Sequence, residues 1–377
     1  MRNDISRVIV AVFLLCTIGA IFLSFVPTRE HIEYFQVADC EVFGFDTALQ
    51  NVCAQDLHQT EVDVIEDVQP IKKAEPAVRV LFVGDMMFDR GVAYTAQKYG
   101  IESLFASVTP LFKDAHAVIG NLEGTITNNE SISLRDNSIL RFTFKPHIAD
   151  LLKSLRFTGV SLGNNHAYDF GKEGFKSTKV ELDRVGIASF GSPTNTEALS
   201  TIIQINERDI CFVGYHDLFT HDETPVVAEI IRIKDTCGRV VVFTHWGDEY
   251  MPIENARQHK VAHAFIDAGA DLIIGAHPHV VQPIEIYKNK AIFYSLGNFI
   301  FDQNFSYETT HGLTVQVEWS EEGTRFTLIP ISIEYQKVKF AEPEDRQRIL
   351  KSTISAELDP SRKESIVEKQ EFILWHK

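Results

Sequence analysis

From Val78 onward the chain repeats one pattern: a short apolar run, an abrupt polar end, then a stretch with helical periodicity. The runs are VRVLFVGD, AHAVIGNLE, FTGVSLGNNH, ICFVGYHD, RVVVFTHWGD, ADLIIGAHPH and NKAIFYSLGNF, and amphipathic stretches such as HIADLLKSL and NARQHKVAHAFIDAG stand between some of them. Parallel strands need a crossover connection, and a helix supplies it. The pattern therefore predicts an α/β fold. GLTVQVEW and RFTLIPISIEY alternate with no helix between them and predict antiparallel additions. From about Glu342 the tail is charged and reads as a peripheral helix.

The runs end in a restricted set of side chains. The first reaches Asp85, the second Asn121 and Glu123, and the third Asn164, Asn165 and His166. RVVVFTHWGD reaches His245, with Asp248 and Glu249 beyond, and LIIGAHPH delivers His277 and His279. In α/β sheets ligands bind outside the carboxyl ends of the strands, so these groups are expected to share one crevice. Taken singly, each has an ordinary structural role. Asp85 can cap a turn or helix, Asn164 and Asn165 can tolerate a left-handed turn, and His245 can pack in a core. Their co-occurrence carries the expectation. Carboxylates, carboxamides and imidazoles without a thiolate suit one or two divalent ions of Mn, Fe or Zn.

The 377 residues carry a formal charge of −16, a sign that argues against a nucleic-acid partner. Val8–Val26 is uncharged and long enough, at about 28 Å as a helix, to cross a bilayer. Arg2 and Arg7 precede it, which predicts a cytoplasmic N-terminus, a single-pass anchor in the cell membrane and an extracytoplasmic main domain; a cleaved signal peptide is the rival reading. The expected organisation is an anchor over 1–27, an acidic stalk over 28–77, a main domain over 78–338 and a peripheral tail over 339–377. Outside the cytoplasm disulfides persist, and Cys40 with Cys53 and Cys211 with Cys237 are possible pairs; four free thiols are the alternative.

GDMMFDR, GNLEGTI, SLGNNHAYDFG, THWGDEY, GAHPHVVQPIE and YSLGNFIFDQ together resemble the motif series of the CapA family of capsule-synthesis proteins, over about Val78–Tyr335. The resemblance implies a part in poly-γ-glutamate capsule production. It also implies a calcineurin-like metallophosphoesterase fold, in which two mixed sheets pack face to face and helices flank them as a four-layer sandwich. Carried over by position, Asp85 is expected to bind one metal and Glu123 to stand where a bridging carboxylate stands. Asn165, His245 and His277 are expected to complete a second ion's shell, with His279 returning to the first. His166 takes the place of a histidine that assists a leaving group, and Arg90 could clamp an anionic oxygen. Asp169 and Glu249 are expected to hold imidazole N–H groups or Arg90, with Asn121, Asn164, Asn298 and Asp302 nearby or on substrate.

One position departs from the phosphoesterase pattern, where Asp-x-His closes the first strand; here the histidine is replaced by Met87. A thioether is a poor ligand for such ions, so two-metal hydrolysis is not implied. His259 and His263 fall four apart on a predicted helix; without an acidic partner motif they read as a solvated or interfacial face. Two functions stay open: a metal-dependent hydrolase acting on a phosphate ester or a γ-glutamyl amide, and a non-catalytic subunit that binds an anionic polymer or a membrane synthase.

Overall fold

The computed structural model describes residues 77–136 and 138–376, together with a two-residue antiparallel ladder of Leu14–Leu15 and Ala20–Ile21. That ladder lies inside the predicted membrane helix and is not helical; the rest of the anchor, the stalk and Cys40–Cys53 fall outside the described residues. Among the described residues no helix is long and apolar enough to cross a membrane.

Residues Lys73–Lys377 form one compact unit. Its strands are β1 (Val78–Met86), β2 (Ala117–Leu122), β3 (Phe157–Ser161), β4 (Ala188–Phe190), β5 (Ser200–Ile205), β6 (Arg208–His216), β7 (Arg239–His245) and β8 (Leu272–Ala276). They continue with β9 (Ile284–Tyr287), β10 (Lys290–Phe293), β11 (Asn298–Ile300), β12 (His311–Trp319), β13 (Gly323–Glu334), β14 (Lys337–Phe340) and β15 (Glu371–Trp375). The helices are α1 (Arg90–Tyr99), α2 (Thr109–Lys113), α3 (His147–Ser154), α4 (Gly171–Val185), α5 (Thr224–Ile233), α6 (Ala256–Ala268), α7 (Pro343–Ser352) and α8 (Pro360–Lys369).

Two large mixed sheets result, beside a two-stranded parallel ladder of Thr125–Ile126 and Thr143–Phe144. One runs β14-β13-β12-β1-β2-β3-β4, with β11 paired to β1 and β15 to β13; the other runs β9-β10-β8-β7-β6-β5. Strand alternation sets the layers, because successive side chains face opposite ways. Val80 and Phe82 of β1 share a core with Val241 and Phe243 of β7, so the sheets pack face to face. Leu81 and Val83 turn the other way, onto Val92, Leu152 and Phe175 of α1, α3 and α4. Val240 and Val242 likewise meet Val226 and Ile230 of α5 and Val261 and Phe265 of α6. Strands buried on both faces read as unbroken apolar runs, which explains VRVLFV, RVVVF and LII.

Local signals fix the element ends. Asn255 caps α6: its side chain accepts from the backbone of Arg257 and Gln258 (both 3.0 Å), and Gln258 Oε1 accepts from Asn255 N–H at 2.9 Å. This capping box turns the chain sharply after the loop that follows β7. The charged tail, expected as one peripheral helix, instead supplies two helices and a strand, and Ile349, Leu350, Ile366 and Phe372 enter the core between the sheets. Cys211 and Cys237 are joined as a disulfide, with Cα atoms 5.8 Å apart, across the β6–α5–β7 connection.

Candidate metal centre

Register brings the predicted groups together. In β1–β2, Asp85 lies opposite Asn121; in β6–β7, His216 lies opposite His245; and β11 sets Asn298 opposite Asp85. The strand ends of both sheets therefore open into one place. Close backbone approach makes this possible: a Cβ on Gly84 would sit 1.9 Å from Gly297 O, and one on Gly275 would sit 1.9 Å from Tyr294 O. His277 and His279 have φ of 95° and 59°, a left-handed conformation uncommon for residues with a side chain, and it turns both rings inward. Their ring centres are 5.9 Å apart.

A chain of hydrogen bonds orders one half of the cluster. A carboxylate only accepts, so Asn121 must present Nδ2 to Asp85 Oδ1, at 2.7 Å. The same Nδ2 lies 3.2 Å from His245 Nδ1, which makes that nitrogen the acceptor and leaves Nε2–H to donate to Asn165 Oδ1 at 2.8 Å. Asn121 Oδ1 accepts from Asn164 Nδ2 at 3.0 Å, and Asn164 Oδ1 accepts the His166 backbone N–H at 3.1 Å. Asn121, expected at the margin, is thus the hub. His245, expected to ligate with Asn165, engages Asn165 Oδ1 through Nε2 and Asn121 Nδ2 through Nδ1.

The other half is open. Asp85 and Glu123 are fully buried, yet neither Glu123 oxygen nor His277 Nδ1 has a hydrogen-bond partner. His279 Nδ1 donates to Asn298 Oδ1 at 2.9 Å, so its Nε2 faces Glu123 at 3.8 Å and Glu249 at 4.0 Å. Such gaps are too long for hydrogen bonds. They fit donors on opposite sides of a cation whose bonds to N or O are about 2.0–2.2 Å. Ligand atoms of Asp85, Glu123 and His279 lie within 4.8 Å of one another, as do those of Glu249, His277 and His279. Buried polar groups without partners are costly, and a divalent ion would satisfy these.

Electrostatics agree. Burial and the Asp85 charge hold the Glu123 carboxyl well above the usual carboxylate range. Burial pulls His279 down, but Glu123 and Asp85 outweigh it and push the imidazole up to about 9. Burial, with His279 nearby, lowers His277 to about 3, and burial lowers His245 well below its usual value. His277 therefore offers a lone pair without competition from a proton.

Around the cluster, His166 Nδ1 donates to Asp169 Oδ2 at 2.8 Å, and its Nε2 faces Glu123 Oε1 at 3.9 Å. Asp169 also accepts the Phe142 N–H at 2.6 Å, which fixes the carboxylate. Arg90 is not an open clamp. Its guanidinium pairs with Asp302 and packs on Phe142, 4.9 Å from the ring centre; Asp302, expected on substrate, is spent on Arg90 and on Gly91 N–H. Met87 is fully buried with Sδ accepting from Asp89 N–H at 2.9 Å, a structural role in place of a ligand.

His216 was missed by sequence reasoning. Its Nδ1–H donates to Pro193 O at 2.8 Å, and its buried Nε2 has no partner, the arrangement of a histidine prepared for a ligand. The signal was present in GYHD, another apolar run ending in histidine. Tyr250, also missed, stacks on His279 with centroids 6.1 Å apart.

These features define a layered α/β protein whose strand-end cleft gathers residues that could hold a cation. The description "bacterial capsule synthesis protein PGA_cap" matches residues 79–303, and the chain belongs to that family. The PGA biosynthesis protein CapA of Bacillus subtilis is 36% identical over 272 residues, which cover 67% of this chain and 70% of that protein. The capsule biosynthesis protein CapA of Bacillus anthracis is 32% identical over 299 residues, covering 73% and 72%. Among solved structures, a hypothetical protein of Thermus thermophilus aligns at 15% identity with a TM-score of 0.40, covering 69% of this chain and 96% of that one.

Proposed function

We propose that this chain is a membrane-anchored, extracytoplasmic component of poly-γ-glutamate capsule biosynthesis that works as a metal-dependent hydrolase on γ-glutamyl amides. The names of its two Bacillus relatives support the process. The uncharged Val8–Val26 segment supports the anchor, and the Cys211–Cys237 disulfide supports an oxidising compartment. The observation that carries the metal is the set of buried, partnerless donors on Glu123 and His277 beside His279.

Asp85, Glu123, His279, His277 and Glu249 would hold the ion. When bound, it would polarise the oxygen of the scissile group. His166, its Nδ1–H fixed on Asp169, presents Nε2 to accept and return a proton. The main domain's anionic substrate meets an acidic protein, so a cation at this cleft also supplies the attraction that Arg90, neutralised by Asp302, does not.

The test combines metal content of the purified full chain with cleavage of a γ-linked glutamate oligomer. Tightly held Mn, Fe or Zn, lost together with cleavage in Glu123→Gln and His277→Ala, supports the reading. A metal-free protein whose His277→Ala variant still restores capsule in a deletion strain overturns it. A second reading, polymer binding without turnover, is favoured by the use of Met87 as a structural acceptor. It predicts metal-dependent binding of the oligomer with no cleavage.

A further inference from the structure

The spacing of His259 and His263 lacked an acidic partner in the sequence, and the fold provides one from the edge of the six-stranded sheet. In β9, Ile284 points into the core between the sheets, so Glu285 points the opposite way, onto α6. His263 Nε2 lies 2.7 Å from Glu285 Oε1, and His259 Nε2 lies 3.4 Å from Glu285 Oε2. One ligand atom from each of the three residues falls within 4.8 Å of the others.

The group is held in place by its surroundings. Tyr294 OH donates to Glu285 Oε2 at 2.5 Å, which orients the carboxylate. The His263 ring stacks on Tyr287 with centroids 3.6 Å apart, and the His259 ring lies parallel to Tyr294 at 6.3 Å. Just ahead of α6, Glu254 has a buried carboxylate oxygen with no hydrogen-bond partner, and His259 and Glu285 are among the charges around it. The Glu285 side chain is 7% exposed while that of His259 is 41% exposed, so the acid is fixed and an ion can enter from solvent.

We infer that His259, His263 and Glu285 form a further divalent-cation site, of a ligand set that suits Zn²⁺, on the outer face of the six-stranded sheet. Two imidazoles four residues apart share a helix face, and with one carboxylate they match the three-ligand set that zinc accepts with a position left open. The hydrogen bond from His263 to Glu285 occupies in the metal-free protein the place the ion takes. Zinc here would tie α6 to β9. The chain leading into α6 carries Glu249 and Tyr250, so occupancy would steady that side of the strand-end centre. This site does not depend on the function proposed for that centre.

Zn²⁺ binding to the full chain is measured by equilibrium dialysis for the wild type, Glu123→Gln and the double variant His259→Gln/His263→Gln. The double variant should lose one equivalent, or bind it at least tenfold more weakly, while Glu123→Gln keeps that equivalent. Equal stoichiometry and affinity in the double variant overturn the site. A second measurement needs no mutation: Zn²⁺ should protect His259 and His263 together from diethylpyrocarbonate, read by mass spectrometry. Unchanged labelling of both residues at saturating Zn²⁺ overturns it equally.

Discussion

His166 Nδ1 lies 2.8 Å from Asp169 Oδ2, and the opposite ring nitrogen faces Glu123 across 3.9 Å. The carboxylate dictates which nitrogen carries the proton, so the lone pair is aimed into the cleft. Asp169→Asn would remove the charge and allow the other tautomer. Cleavage of a γ-linked glutamate oligomer should fall roughly 10–100-fold, the usual cost of losing an orienting partner, with metal content unchanged. Loss of metal along with activity would assign Asp169 to the centre's integrity instead.

Glu123 presents a trade between stability and binding. A buried carboxyl group without a hydrogen-bond partner, beside Asp85, costs stability that a bound ion returns. Glu123→Gln should stabilise the metal-free protein by roughly 1–3 kcal/mol while weakening metal binding at least tenfold. Thermal unfolding in chelator and metal titration read the two effects separately. A variant less stable in chelator contradicts the unsatisfied carboxylate.

The centre holds protons when no metal is present. Glu123 is pushed up by burial and Asp85, and His279 is pushed up to about 9 by Glu123 and Asp85 against burial. A cation and a proton compete for these atoms, so metal affinity should rise with pH until about 9 and flatten above it. At pH 7 binding should release protons, seen by calorimetry as a heat that changes with the ionisation enthalpy of the buffer. No dependence on buffer would contradict the assignment.

The Cys211–Cys237 disulfide closes a loop across a sequence separation of 26 residues. In the chain-entropy account this contributes about 3–4 kcal/mol by restricting the unfolded chain. A reductant, or the paired change Cys211→Ala/Cys237→Ala, should lower the unfolding temperature by several degrees. An unchanged melting curve would show that the bond adds nothing to the folded domain.

Much of the layout was legible in the chain. The alternation of apolar runs with amphipathic stretches gave every major strand from β1 to β3 and from β6 to β8, because a strand buried on both faces needs an unbroken apolar run. The tail was not legible. Its charge reads as surface, yet Ile349 and Leu350 of α7 and Ile366 of α8 each turn into the core between the sheets.

The sequence by itself determined which chemistry reaches the strand ends: Asp85, Glu123, His277 and His279 follow strand-forming runs, and their side-chain types admit a cation. Only the tertiary structure decided how those groups are divided. Register sets Asn121 against Asp85 and His216 against His245, so a carboxamide satisfies one half of the cluster and leaves Glu123 and His277 without partners. It also carried Glu285 from an edge strand to His259 and His263. Hydrogen-bond partners separated by dozens of residues are chosen by strand pairing and packing, and no local pattern in the chain encodes that choice.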